Sequence, residues 1–336
     1  MKIEHREFLP KQQASTHAST ICFHPDGHPI FAWFEGSREG SPDVFIRLYN
    51  LNNDKESILI GNKDGIPRWN PILLRHEKEI LLFEKMGVFC DRWQTVIHNI
   101  TDWDNNISSK EINGRMQILP AGLNGPVKTK PIVYNDYILC GSSVETFVDW
   151  TSYVEVYECY TGKFSFYERS NPLAVDKVTY QNPFSGMTAK SLGIIQPALW
   201  IDINDCGQEC FNALFRSSYG LGKIYHSRST TWGYPDSWSK PKPIEIDNPN
   251  SSVDVVYING RLFLACNPVK TGRLPLVVLE LDKNLQPVDS IVITSDIEGQ
   301  ALSQEASYPY MIEKDGKLHL TYTYGRSKIE YVQISI

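Results

Sequence analysis

No stretch of this chain reaches the roughly 18–20 consecutive apolar residues that a membrane-spanning helix requires, so no span is expected. The opening residues, from Met1 to Pro10, lack the apolar core of an export signal, and cytoplasmic residence is expected. A basic excess is also missing. Lys and Arg number 33 against 39 Asp and Glu, a net charge of −6, which argues against nucleic acid as a partner. Methionine is scarce, at 5 residues, and no window holds a 3.6-residue apolar period over three turns, so few helices are expected. The cysteines, Cys22, Cys90, Cys140, Cys159, Cys206, Cys210 and Cys266, are odd in number and scattered, the pattern of reduced thiols rather than a disulfide framework. Cys206 and Cys210 lack a second ligand pair at zinc-finger spacing, and no Asp-x-Asp-x-Asp loop is present. No metal and no cofactor are therefore expected.

Aromatic residues are abundant instead: 17 Tyr and 8 Trp within an aromatic share of 12%, a mixture that favours strands. One stretch organises the reading. His17-Ala18-Ser19-Thr20-Ile21 and Phe31-Ala32-Trp33-Phe34 flank the turn Pro25-Asp26-Gly27 and predict a hairpin. The loop after it carries Arg38, Glu39 and Asp43, ionisable groups where a sheet scaffold presents chemistry; a solvated surface pair is the plain alternative. Strands running into polar turns then recur at Asp43–Asn50, Gln94–Asp102, Ser152–Tyr160, Gly222–Thr230, Pro275–Asp282 and Ser327–Ile336. Their starts lie about 50 to 70 residues apart, the scale of four-stranded blades. Six such sheets arranged radially would bury both faces of each. The expected fold is all-β, a six-bladed β-propeller forming one domain over residues 1–336. A pair of β-sandwiches fits less well because the repeat continues to Ile336.

The strand ends look like worn versions of the Ser-x-Asp-x-Gly-x-Thr-Trp turn, best kept in Ser227-Arg228-Ser229-Thr230-Thr231-Trp232-Gly233. With the order of ionisable residues along nearly the whole chain, this resembles the sialidase superfamily, in particular its BNR-repeat, sialidase-like branch. The resemblance places Arg38 and Asp43 in the loop that carries an arginine and the general acid. It matches Arg216 in Leu214-Phe215-Arg216 and Arg273 after Asn267-Pro268 to two clamp arginines, and Tyr308 in Ala306-Ser307-Tyr308-Pro309 to the nucleophile. Such a residue set suits a sugar acid. Guanidinium groups clamp a carboxylate bidentately, and a neutral phenol avoids the repulsion that a carboxylate nucleophile would meet there. The phenol needs a base, and the acid needs a raised pKa.

Two departures stand out. His17 occupies the first clamp-arginine position, and Gln196 lies where the activating glutamate is expected, although an amide is no base. Glu145 and Glu305 are the substitutes. Blade starts at Arg68-Trp69-Asn70-Pro71, Lys128-Thr129-Lys130-Pro131 and Asn250-Ser251-Ser252 would send Arg68, Asn70 and Lys130 to a common rim, with Tyr324 and Arg326 late contacts. For each of these a solvated loop or a capped turn is the plain alternative. The expected partner is an acidic sugar or glycan. The expected activity is retaining removal of a terminal ulosonic sugar such as sialic acid or Kdo, with Asp43 as acid and Tyr308 as nucleophile. Alternatives are a glycan-binding propeller without turnover and a uronate-directed lyase in which His17 takes the C5 proton.

Overall fold

The structure is a computed structural model. It describes residues 1–10, 13–51, 58–61, 64–101, 116–160, 163–182, 184–231, 234–299 and 301–336. Several of the polar turns singled out in the sequence, at 52–54, 103–106, 161–162 and around Trp232, lie outside them.

Six four-stranded antiparallel sheets form a six-bladed β-propeller. The first blade runs Ser15–Phe23, Pro29–Gly36, Phe45–Asn50 and Ile58–Ile60, from the inner strand outward. The second to fifth blades begin on the inner strands Arg68–His76, Ile132–Tyr134, Ile194–Ile203 and Asp254–Ile258. A two-stranded hairpin, Thr179–Gln181 with Thr188–Lys190, is inserted between the third and fourth. The sixth blade takes Ala306–Lys314, Lys317–Tyr324 and Lys328–Ser335 from the end of the chain and its outermost strand, Lys2–Phe8, from the beginning. The sequence reading ended the repeat at Ile336 without this closure, because pairing across more than 300 residues leaves no local signal. No helix among the described residues is long and apolar enough to cross a membrane.

Because each blade lies between two others, strands near the axis can be buried on both faces, as the first two of the first blade are. Ser15–Phe23 and Pro29–Gly36 are buried almost throughout and do not alternate. Aromatic contacts join the blades: Phe83 of the second meets Phe164 of the third at 5.1 Å, and Phe31 of the first meets Tyr331 of the sixth at 5.0 Å. On one face of the ring, two-residue turns link the first and second strands of the second, third, fifth and sixth blades. At Asn259-Gly260 and Asp315-Gly316 all four residues have positive φ, the form that matches strand twist and that glycine adopts without a Cβ clash.

The other ends of the inner strands are irregular. In four blades the register breaks at the same place, between His17 and Thr20, Trp69 and Ile72, Ile195 and Ala198, and Ser307 and Tyr310. Each break is a bulge with a left-handed residue: Ala18 (φ 54°), Asn70 (37°), Gln196 (56°) and Tyr308 (55°). In three of them proline follows, which has no N–H for the ladder. Non-glycine residues in this region cost about 1–3 kcal/mol each and collect where surrounding structure holds them for use.

Candidate functional site

The bulges turn Gln196 and Tyr308 inward, and charged residues from the ends of second strands meet them. Arg216, near the end of Glu209–Ser217, donates from Nη1 to the Tyr308 hydroxyl at 3.0 Å and to Gln196 Oε1 at 3.2 Å. Its Nε donates to Asn250 Oδ1 at 2.8 Å, and the guanidinium lies over the Tyr308 and Trp150 rings, 5.6 Å from each. Arg273 reaches the same phenol from the fifth blade, 6.0 Å from its ring, and donates to Asn250 O at 3.0 Å and Glu305 Oε1 at 3.4 Å. Arg326 donates from Nε to Glu305 Oε1 at 2.8 Å and from Nη1 to Glu39 Oε2. Ser307 Oγ gives Glu305 a further hydrogen bond at 2.8 Å.

Beneath this group the axis is crossed by buried cations. Lys128, from the third blade, donates to Pro309 O of the opposite sixth blade at 3.2 Å and lies 5.6 Å from the Tyr308 ring. Lys130 is tied to Asp254 Oδ1 at 2.9 Å and to Val255 O, while Asp254 Oδ2 accepts from Met311 N at 2.7 Å. Tyr310 Oη donates to Leu73 O of the second blade. Residues from separate blades thus meet in a polar floor.

The electrostatics follow from burial and these pairings. Burial raises the Glu145 carboxyl above its ordinary value, opposed by nearby Arg216, Ser143 and Gln196. Glu305 is also penalised by burial, but Arg273 and Arg326 overcome it and hold the group low, as a carboxylate. Burial works against the Arg326 charge as well; Glu39 and Glu305 more than restore it. Burial brings Lys128 down to about 8, against the attraction of Asp254. His17 is fully buried, with its ring centroid 4.1 Å from that of Tyr308. Burial first, then Arg326, Arg273, Lys128 and Arg216, press its pKa well below the usual value, so the imidazole is neutral. Neither of its nitrogens has a hydrogen-bond partner among the described residues.

Of the residues singled out from sequence, His17, Glu145, Gln196, Arg216, Arg273, Glu305, Tyr308 and Arg326 therefore come together. Asn70 is buried on the corresponding bulge of the second blade. Others go elsewhere. Asp43 is exposed, and its two carboxylate oxygens accept from Ser37 N and Ser37 Oγ at 2.9 and 2.8 Å, closing the loop that carries Glu39. Arg38 is exposed on that loop. Arg68 turns to Asp64 and lies 3.6 Å from Glu84, within its own blade's surroundings. The Lys130 ammonium serves the floor. Tyr324 accepts from Glu298 N at 2.6 Å and packs on Phe8. Sequence reasoning read Glu39 as a loop charge and missed its pairing with Arg326. It also missed the repeated bulge, for which Asn70-Pro71, Gln196-Pro197 and Tyr308-Pro309 were the available signal.

A six-bladed ring with arginines gathered around a tyrosine at the bulged ends of its inner strands defines a sialidase-like propeller. The chain belongs to the BNR repeat-like domain family, whose profile matches residues 27–320. A Hadza microbial sialidase, Hz136, superposes with a TM-score of 0.63 at 10% identity, over 96% of this chain and 66% of that one. The Trypanosoma rangeli sialidase in complex with the inhibitor DANA gives 0.60 at 11%, over 96% and 55%. An α-L-arabinanase of Penicillium chrysogenum complexed with arabinobiose gives 0.57 at 13%, over 96% and 93%. The chain thus spans just under two thirds of the first sialidase and about half of the second. No curated protein sequence matches it.

Proposed function

We propose that the protein is a sialidase-like glycoside hydrolase that removes a terminal acidic sugar, with Tyr308 as its nucleophile. The observation that carries this reading is the hydrogen bond from Arg216 to the Tyr308 hydroxyl, in a cluster shared with Arg273 and Arg326. A sugar carboxylate placed beside this phenol would meet guanidinium donors in the fork geometry that suits it. Arg326, from the sixth blade, stands in for the arginine that His17 replaces in the first. Arg216, Arg273, Arg326 and Lys128 face Glu39, Glu145 and Glu305; burial holds Glu145 toward its neutral form, while Arg273 and Arg326 hold Glu305 as a carboxylate. Glu145 is then the proton carrier, a role that a raised pKa favours. Asp43, committed to Ser37 in this structure, would need its loop to open before acting as acid.

The test is release of free sugar from fluorogenic glycosides of N-acetylneuraminic acid and of Kdo. Turnover in the wild type, with a loss of about 10³-fold or more in Tyr308→Phe at unchanged melting temperature, supports the reading. No turnover on either glycoside, with saturable binding of the free sugar acids, would replace it with a glycan-binding propeller. One observation favours that second reading: Glu305 and Glu39 already neutralise Arg273 and Arg326 in part.

A further inference from the structure

On the face of the ring away from the arginines, the first two strands of the first blade are joined by His24-Pro25-Asp26-Gly27-His28. The spacing puts three metal-ligand side chains at alternate positions of one tight turn. The turn is closed by His24 N donating to His28 O and Gly27 N donating to His24 O, both at 2.9 Å, with Gly27 at φ 99°. His24 Nδ1 lies 2.9 Å from Asp26 Oδ1, and His28 Nδ1 contacts the same oxygen. The two imidazoles are stacked, with centroids 4.6 Å apart and an interplanar angle of 18°. One donor atom from each of the three side chains lies within 4.8 Å of the other two. We propose that His24, Asp26 and His28 form a binding site for a divalent transition-metal ion, zinc before magnesium or calcium.

The chemistry of the donor set selects the ion. Two imidazole nitrogens and one carboxylate oxygen suit zinc, nickel or copper, whereas magnesium and calcium take oxygen donors. The outer shell fits as well. His28 Nε2 is 2.8 Å from Asn50 Nδ2, on the third strand of the blade, and the Asn50 amide can present its oxygen to Nε2–H once Nδ1 is a ligand. Exposure is graded in the right sense: the side chains of His28, His24 and Asp26 are 9, 18 and 57% exposed. The imidazoles are thus held by the protein, and the carboxylate side stays open to the water molecules that complete the coordination. One neighbour opposes the ion: Lys314 Nζ lies 3.4 Å from Gly27 O and 3.1 Å from Asp315 Oδ2. Removing that ammonium is expected to tighten binding.

The experiment is titration of the untagged, full-length, metal-stripped chain with zinc chloride by calorimetry, with magnesium chloride as comparison and a Co²⁺ absorption spectrum as a report on the ligands. One zinc equivalent is expected, with no magnesium signal. The melting temperature should rise with zinc in the wild type. Affinity should fall tenfold or more in His24→Ala and in His28→Ala, less in Asp26→Asn, and should increase in Lys314→Ala. Zinc-free melting curves of the variants, if unchanged, separate loss of ligands from loss of fold. Absence of saturable zinc binding overturns the proposal. So does binding that survives His24→Ala/His28→Ala but is lost in Cys159→Ser, which would move the ion to the His76, Glu79 and Cys159 group between the second and third blades.

Discussion

The two faces of the ring are made by opposite ends of the same strands, and they differ in kind. On one face the first two strands of a blade meet in tight turns, as at Asn259-Gly260 and Asp315-Gly316, whose residues occupy conformations that such turns favour. On the other face four inner strands carry a bulge, and non-glycine residues stand at positive φ, three of them ahead of proline. Buried atoms without a hydrogen-bond partner among the described residues, both His17 nitrogens and Ser19 Oγ included, also collect near this end. In these four blades one end of the sheet is therefore built for stability and the other holds strain around a polar cluster. The division matches the reading of the bulged face as the working one.

This contrast can be broken from either side. After the nucleophile itself, the largest effect is expected at Glu145. Replacing it by Gln removes the proposed proton carrier and should lower turnover about 10²–10⁴-fold while leaving sugar-acid binding in place, measured as kcat against Kd. Next comes Gly141, which lets the fourth blade's bulge approach the third. A Cβ there would lie 2.0 Å from Pro197 O, so Gly141→Ala should cost about 1–3 kcal/mol in denaturant unfolding and displace Gln196 from Arg216.

The pH dependence of stability should be comparable per group. His17 titrates well below its ordinary value in the folded protein, so between that lowered pKa and about 6.5 the unfolded chain binds the extra proton. Stability contributed by the neutral ring is complete above about pH 6.5 and is lost as pH falls, with a slope of at most about 1.4 kcal/mol per pH unit. Burial similarly brings His226 and His319 to about 4, so the wild-type slope in urea melts contains their share. His17→Phe should remove one proton's worth of it. The smallest effect belongs to the regular face: Gly316→Ala, at φ 75°, should cost about 1 kcal/mol and leave turnover unchanged.

The ring was legible in the sequence because blade-length spacing and turns such as Asn-Gly and Asp-Gly are local signals. So was the assembly of Arg216, Arg273 and Tyr308, whose order along the chain carried the resemblance. The orientation of individual charges was not. A bulge inserts one residue and reverses which side chains point inward, so Arg68 and Asn70, two positions apart on a bulged strand, have different fates. Asp43 was misplaced for another reason: a carboxylate that closes its own loop through Ser37 reads, in sequence, the same as one that reaches a substrate. The sixth blade's closure by Lys2–Phe8 joins the two ends of the chain and had no local trace.

The most direct test of the central claim is a crystal structure of the protein soaked with DANA, the inhibitor seen with the Trypanosoma rangeli sialidase. The account predicts a carboxylate hydrogen-bonded to Arg216 and Arg273, with the ring above the Tyr308 hydroxyl. A ligand held on the opposite face, or a pocket left vacant at saturating DANA while both guanidinium groups keep their present partners, would contradict it.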